Sequence, residues 1–183
     1  DDEGLSLDEL RAKLDTVQSL EVEHKLNERN AVDLVRKLQL KGLVDVVYTL
    51  DGREYVTHAH LQREIADEVD FSNGRVHLLD LSPVLNVDAA HIEKDAGRLL
   101  QDRSDLHLVG GEVIADFYLD SVAEEVRELL QESGKLVLAD VARRFHLPLG
   151  FLVEALKGRM GHVNGTLAGG GVFTKAPLPR RQR

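Results

Sequence analysis

Gly74-Arg75-Val76-His77-Leu78-Leu79-Asp80-Leu81, running on to Val84-Leu85-Asn86-Val87, returns later in the chain as Gly134-Lys135-Leu136-Val137-Leu138-Ala139-Asp140-Val141, running on to Arg144-Phe145-His146-Leu147. A glycine, a basic residue, alternating aliphatics and an Asp between aliphatics recur in register, which is an internal repeat. Each copy reads as a turn glycine, a short strand, and a short helix begun near the Asp. In front of each copy lies an apolar stripe at i, i+4 and i+8: Leu61, Ile65 and Val69, then Val122, Val126 and Leu130, the spacing of an amphipathic helix. Behind each lies another helix, faced by Ile92, Ala96, Leu99 and Leu100 in the first copy and by Leu149, Leu152, Val153 and Leu156 in the second. A hairpin closes each: Leu106 to Val109 and Val113 to Ala115 about Gly110-Gly111, then His162-Val163 and Val172-Phe173-Thr174 about a loop holding Gly169, Gly170 and Gly171. Helix, strand, helix, helix, hairpin is the order of a winged helix. The reading is two in tandem, over 58–117 and 118–175, in a mostly α chain with small β-hairpins (an α+β fold).

Upstream, over 26–57, only the back half of that pattern is present. A helix from about Asn30 to Lys41 carries Val32, Val35 and Leu38, with Asn30 as N-cap and Gly42 as C-cap. Leu43 to Leu50, Asp51-Gly52 and Arg53 to Thr57 then make a hairpin, Asp-Gly between β-branched runs being a strong turn signal. Between Glu21 and Asn30 there is no room for the missing strand and second helix, so this is a partial winged helix. A half-module bares the apolar face and the sheet edge its absent half would cover, which in a folded protein marks an interface. The alternative is that Leu7 to Leu20 folds back as a substitute helix.

That N-terminal segment, within 1–25, reads as a helix from Ser6 to Leu20, with Ser6 and Glu9 as a capping box and Leu7, Leu10, Leu14 and Val17 as one stripe. Burying each of these side chains is worth about 1.5–3 kcal/mol gross, enough for modest binding, although packing within the chain explains the stripe equally well. At the other end, 176–183, Pro177, Pro179, Arg180, Arg181 and Arg183 form a Pro-broken basic tail, expected to be disordered or to lead into a further domain. The chain opens on Asp1 rather than Met, as a piece of a longer protein would.

Composition narrows the chemistry. The 183 residues carry 23 Lys and Arg against 32 Asp and Glu, a net charge of −9, which disfavours nucleic acid as the main partner. From Asp88 to Asp102 the third helix of the first copy holds Asp88, Glu93, Asp95 and Asp102 against Lys94 and Arg98, and its hairpin adds Asp105, Glu112 and Asp116. Such a helix repels phosphate, so direct DNA binding is not expected. There is no Cys, hence no disulfide, no thiolate metal site and no thioester-forming nucleophile in this chain. No apolar run approaches the roughly 20 residues of a membrane span and no signal peptide opens the chain, so the cytosol or nucleus is expected.

No active site emerges. His58 and His60 are two apart, no ligand spacing supports a metal, and surface histidines are the reading. Gly169-Gly170-Gly171 lacks the Lys-Ser/Thr of a phosphate loop; Ser121 and Ser133 have no evident base; Glu124-Glu125 and Asp1-Asp2 read as solvated faces rather than acid/base couples. No catalytic residue, metal or cofactor is expected.

Leu26-Asn27-Glu28-Arg29-Asn30, Val47 to Thr57 (VYTLDGREYVT), Gly74-Arg75-Val76, Asn86-Val87-Asp88 with His91-Ile92-Glu93, and Leu129-Leu130-Gln131-Glu132-Ser133-Gly134 resemble the ubiquitin-fold-modifier protein ligases (the UFMylation ligases) over their N-terminal part. The likeness runs from about Leu7 to Lys175 and departs mostly between Leu14 and Glu23, where spacing rather than identity matches. It implies a scaffold-type ligase (a transferase without its own nucleophile) acting with a DDRGK-domain partner, anchored in the endoplasmic reticulum membrane, whose half winged helix completes the first half-unit. It further implies that Leu7, Leu10, Leu14 and Val17 face the modifier-charged conjugating enzyme, while Val32, Val35, Leu38, Val46 and Tyr48 lie in the composite module. The implied substrate complex is the large ribosomal subunit with an adaptor, at the cytoplasmic face of the endoplasmic reticulum, with membrane contact only through the partner. The competing reading is a non-enzymatic tandem winged-helix subunit of a multiprotein complex.

Overall fold

The computed structural model describes residues 7–12, 28–168 and 172–175. The chain divides into two compact units, Asp1–Val46 and Val47–Arg183. In the first, α1 (residues 7–12) and α2 (Glu28–Leu40) are helical. The latter starts before the expected cap, so Asn30 stands in its first turn instead of ahead of it. Its C-terminal end is as expected: Gly42 adopts φ +69°, and the Gly42 and Leu43 amides turn back to the carbonyls of Gln39 and Leu38, a left-handed cap that glycine tolerates best.

The second unit begins within β1 (Val46–Tyr48), which forms a two-stranded sheet with β2 (Tyr55–Thr57). Then comes α3 (His58–Phe71), β3 (Arg75–His77), α4 (Leu78–Leu85), α5 (Ala89–Asp102), β4 (Leu106–Val109) and β5 (Glu112–Ala115). Strand β3 lies antiparallel to β5, with Val76 opposite Val113, giving the order β3-β5-β4. The pattern repeats as α6 (Asp116–Ser133), β6 (Lys135–Val137), α7 (Leu138–Arg144), α8 (Leu149–Lys157), α9 (Met160–Val163), β7 (Gly165–Ala168) and β8 (Val172–Lys175), ordered β6-β8-β7. These are two tandem winged helices in a mostly helical chain.

The apolar stripes are buried as their period requires: Leu61, Ile65 and Val69 of α3 in one core, Val122, Val126 and Leu130 of α6 in the next. Side-chain caps start the helices, the Thr57 hydroxyl accepting the His60 amide (3.2 Å) and the Asp88 carboxylate the Ala90 amide (2.9 Å). Two local expectations change. His162-Val163 is not a strand; it belongs to the helical turn α9, whose Val163 enters the core, and the hairpin begins at Gly165 after Asn164 caps the turn in the left-handed region. Leu149, expected on the core face of α8, opens that helix after Pro148 and is exposed. The loop containing Gly169 to Gly171, the Ser6 cap and the basic tail lie outside the described residues.

Candidate functional site

The β1–β2 hairpin shows what is missing. In each complete module the strand ahead of the second helix pairs with the last hairpin strand, making three; here β2 has β1 alone among the described residues. The contrast in burial follows. Val113, Ile114 and Ala115 of β5 are buried, whereas on β2 Tyr55 and Thr57 are exposed and Val56 is half-buried. An edge strand with free amides and carbonyls is a template for another strand.

The hairpin is nevertheless firmly built. Val47 is buried in the core of the first complete module and Val56 packs against it. The turn is longer than Asp51-Gly52 alone: the Thr49 amide bonds the Glu54 carbonyl (3.0 Å), so four residues intervene. The Asp51 carboxylate spends itself inside that turn, accepting the Thr49 hydroxyl (2.6 Å) and the Arg53 amide (3.1 Å), and these bonds hold its pKa below the ordinary carboxylate value. The Leu50 amide reaches the Asn86 carbonyl (2.8 Å), tying the turn to the α4–α5 junction. Against this background the Tyr48 hydroxyl stands out, being buried without a hydrogen-bond partner among the described residues. Buried polar atoms are normally satisfied, and one left over needs a reason.

The residues singled out from the sequence fall as follows. Leu7 is 48% exposed but Leu10 is 3% exposed, so the stripe read as one docking face is divided; Leu14 and Val17 lie outside the described residues. Val35, Leu38 and Val46 are buried, and Val32 and Tyr48 are half-buried. Large apolar side chains left in solvent include Leu40 on α2 and, separately, Leu50 and Tyr55 on the hairpin.

Two charge readings need correction. His58 is not a surface histidine: its Nδ1–H donates to the Asp95 carboxylate at 2.6 Å, and that carboxylate has no solvent exposure. Asp95 therefore contributes nothing to the outward charge of α5, where the sequence count included it. Sequence reasoning missed this pair because its members stand on different helices. Glu124 and Glu125 are each paired, with Arg127 and Arg144. Among the described residues no group of three or more His, Asp or Glu could hold a metal ion, and no helix is long and apolar enough to cross a membrane.

The model of the E3 UFM1-protein ligase 1 family matches residues 6–183. The chain belongs to that family. E3 UFM1-protein ligase 1 of Gallus gallus is 38% identical over 177 residues, covering 94% of this chain and 22% of that protein. The Danio rerio protein of the same name is 40% identical over 177 residues with the same coverage. The Oryza sativa subsp. indica homolog is 39% identical over 175 residues, 94% of this chain and 21% of that one. The chain thus spans about a fifth of the length of the relatives it matches. Among solved structures, the mRNA-binding domain of elongation factor SelB from E. coli in complex with SECIS RNA aligns with a TM-score of 0.41 at 16% identity, over 64% of this chain and 98% of that one.

Proposed function

We propose that this chain is the recruiting portion of a scaffold-type UFM1 ligase, and that its open hairpin is where a DDRGK-domain partner adds the strand that completes the first module. The observation that carries the proposal is the two-stranded sheet beside two three-stranded sisters. The Tyr48 hydroxyl, unpartnered among the described residues, supports it, since an incoming chain can supply the acceptor. In this reading Val46 and Tyr48, with Val32, Val35 and Leu38, form this chain's share of the composite module. Leu7, with Leu14 and Val17, serves the conjugating enzyme, and the buried Leu10 anchors the same helix from its other side.

The chemistry asks little of the chain itself. With no Cys it cannot carry the modifier as a thioester; the thioester stays on the conjugating enzyme and a substrate lysine attacks it there. The scaffold accelerates transfer by holding the charged enzyme near the lysine in a reactive geometry, which replaces a bimolecular encounter. Its partner would hold it at the cytoplasmic face of the endoplasmic reticulum, where the large ribosomal subunit and an adaptor form the substrate complex.

The test has two arms. Mixed with a DDRGK-domain protein, the chain should form a complex in which the Tyr55–Thr57 amides gain protection from hydrogen exchange. A chain indifferent to that protein, with β2 amides equally labile in its presence, refutes the completion. In a lysine-discharge assay with the partner present, Ala at Leu7, Leu10 and Leu14 together should slow discharge. Unchanged discharge alongside intact partner binding would leave the non-enzymatic assembly subunit as the answer.

A further inference from the structure

We propose that Arg75 is a positioning residue that locks the two winged helices into one rigid arm, by capping a helix of the second from a strand of the first. A guanidinium has five N–H donors, and here all five are used. Nε and Nη2 donate to Glu112 Oε2 (3.0 and 2.6 Å), and Nη1 donates to the Tyr118 hydroxyl (3.1 Å). The Tyr118 bond reaches α6 of the second module, and the remaining two also cross the joint: Nη1 to the Phe145 carbonyl (2.6 Å) and Nη2 to the His146 carbonyl (3.0 Å), where α7 ends. His146 has φ +52°, so the chain turns away there and leaves these carbonyls without helical partners. They are also the negative pole of the helix, the natural seat for a cation. The Arg75 side chain is 17% exposed, and its charge lies 5.6 Å from the centre of the Tyr118 ring.

A second anchor stands apart from the first. His107 of β4 donates through Nε2 to Asp116 at the start of α6 (2.8 Å), and Arg159, after α8, donates to the same oxygen (3.0 Å). The Phe151 ring of α8 meets the His107 ring edge-on, centres 5.9 Å apart. No linker separates the modules, since β5 ends at Ala115 and α6 starts at Asp116. Gly74 completes the fit, because a Cβ there would lie 2.7 Å from the Phe117 ring.

The repeat supplies the internal control. Lys135 holds the place of Arg75 in the second module and is exposed, and a Cβ on Gly134 would meet nothing within 4 Å. A winged helix therefore folds without this arrangement, and the Arg75 set belongs to the joint.

Residual dipolar couplings of the whole chain test this. One alignment tensor should fit the amides of both modules. In Arg75→Met, which keeps the apolar stem and removes every donor, two tensors should be required while core amide shifts within each module stay in place. Arg75→Lys, which keeps the charge but cannot span both carbonyls and Glu112, should fall between. Two tensors in the unaltered chain, or one unchanged tensor in Arg75→Met, overturns the proposal. Should Arg75→Met unfold the first module, Arg75→Lys decides by the same criterion.

Discussion

Replacing Asp95 should be the costliest single polar change in the first winged helix. Its carboxylate has no solvent exposure and takes three hydrogen bonds: from His58 Nδ1 at 2.6 Å, from Gln62 Nε2 at 3.3 Å and from Arg98 Nη1 at 3.3 Å. The two at 3.3 Å are long for N–H···O, so the His58 bond dominates. Removing one member of a buried pair typically costs 3–5 kcal/mol, because the other is stranded. Arg98 is 41% exposed and can turn to water, whereas the His58 side chain, 15% exposed, has far less access to it. Asp95→Ala should therefore sit near the lower end, about 3 kcal/mol, a factor of roughly 150 in the folded-to-unfolded ratio. Asp95→Asn keeps the shape and an acceptor for His58, and should cost about 1 kcal/mol. Urea unfolding followed by circular dichroism at 25 °C reads both, with the slope unchanged if the native fold is retained. If Asp95→Ala falls within about 0.5 kcal/mol of the parent, as an ordinary surface change would, the carboxylate is solvated and the buried His58–Asp95 pair described above is wrong.

Two further outcomes can be checked with the same equipment. Gly74→Ala places a Cβ against the Phe117 ring and demands φ +85°, so it should cost about 2–3 kcal/mol, against about 1 kcal/mol for Gly134→Ala, where φ is +72° and the space is open; equal costs refute the crowding at the joint. The His107 N–H, and after it Arg159, hold the Asp116 carboxyl below its ordinary pKa. Since the folded value is the lower one, Asp116 contributes its stability above about pH 4 and loses it as pH falls through the folded value. Melting curves of the parent and Asp116→Asn should therefore differ above about pH 4 and converge in stronger acid, and a constant difference down to about pH 2 would refute the pairing.

The repeat made the fold legible because each module buries its own stripes, and stripe spacing is local information. Even its faults were local. His162-Val163 looked like a strand because β-branched and ring side chains favour one, yet the Asn164-Gly165 pair, a helix end followed by a fresh start, held the signal. The Asp51-Gly52 turn lengthened because Asp51 bonds Thr49 and Arg53 within the loop, a use that a dipeptide rule ignores. The two-stranded hairpin was legible in its Asp51-Gly52 turn between β-branched runs. What could not be read were contacts between distant segments. Arg75 finds backbone carbonyls 70 and 71 residues away, and any sequence there offers carbonyls. The His58–Asp95 pair, 37 residues apart, was hidden in the same way, inside a count of charges that treated every acid as solvated.

The margin of β2, which no third strand covers among the described residues, has a consequence for how much of this protein a cell can keep. A ligand that binds only the folded form stabilises it by mass action, by about 2.7 kcal/mol at a hundred times its dissociation constant. On the proposed completion by a partner strand, a copy without that strand would lack this contribution and present a sticky ribbon to its neighbours, and would be the form that proteases and aggregation remove first. Supply of the completing strand would then set the standing level of this chain, and overproducing the chain alone would yield sediment rather than surplus.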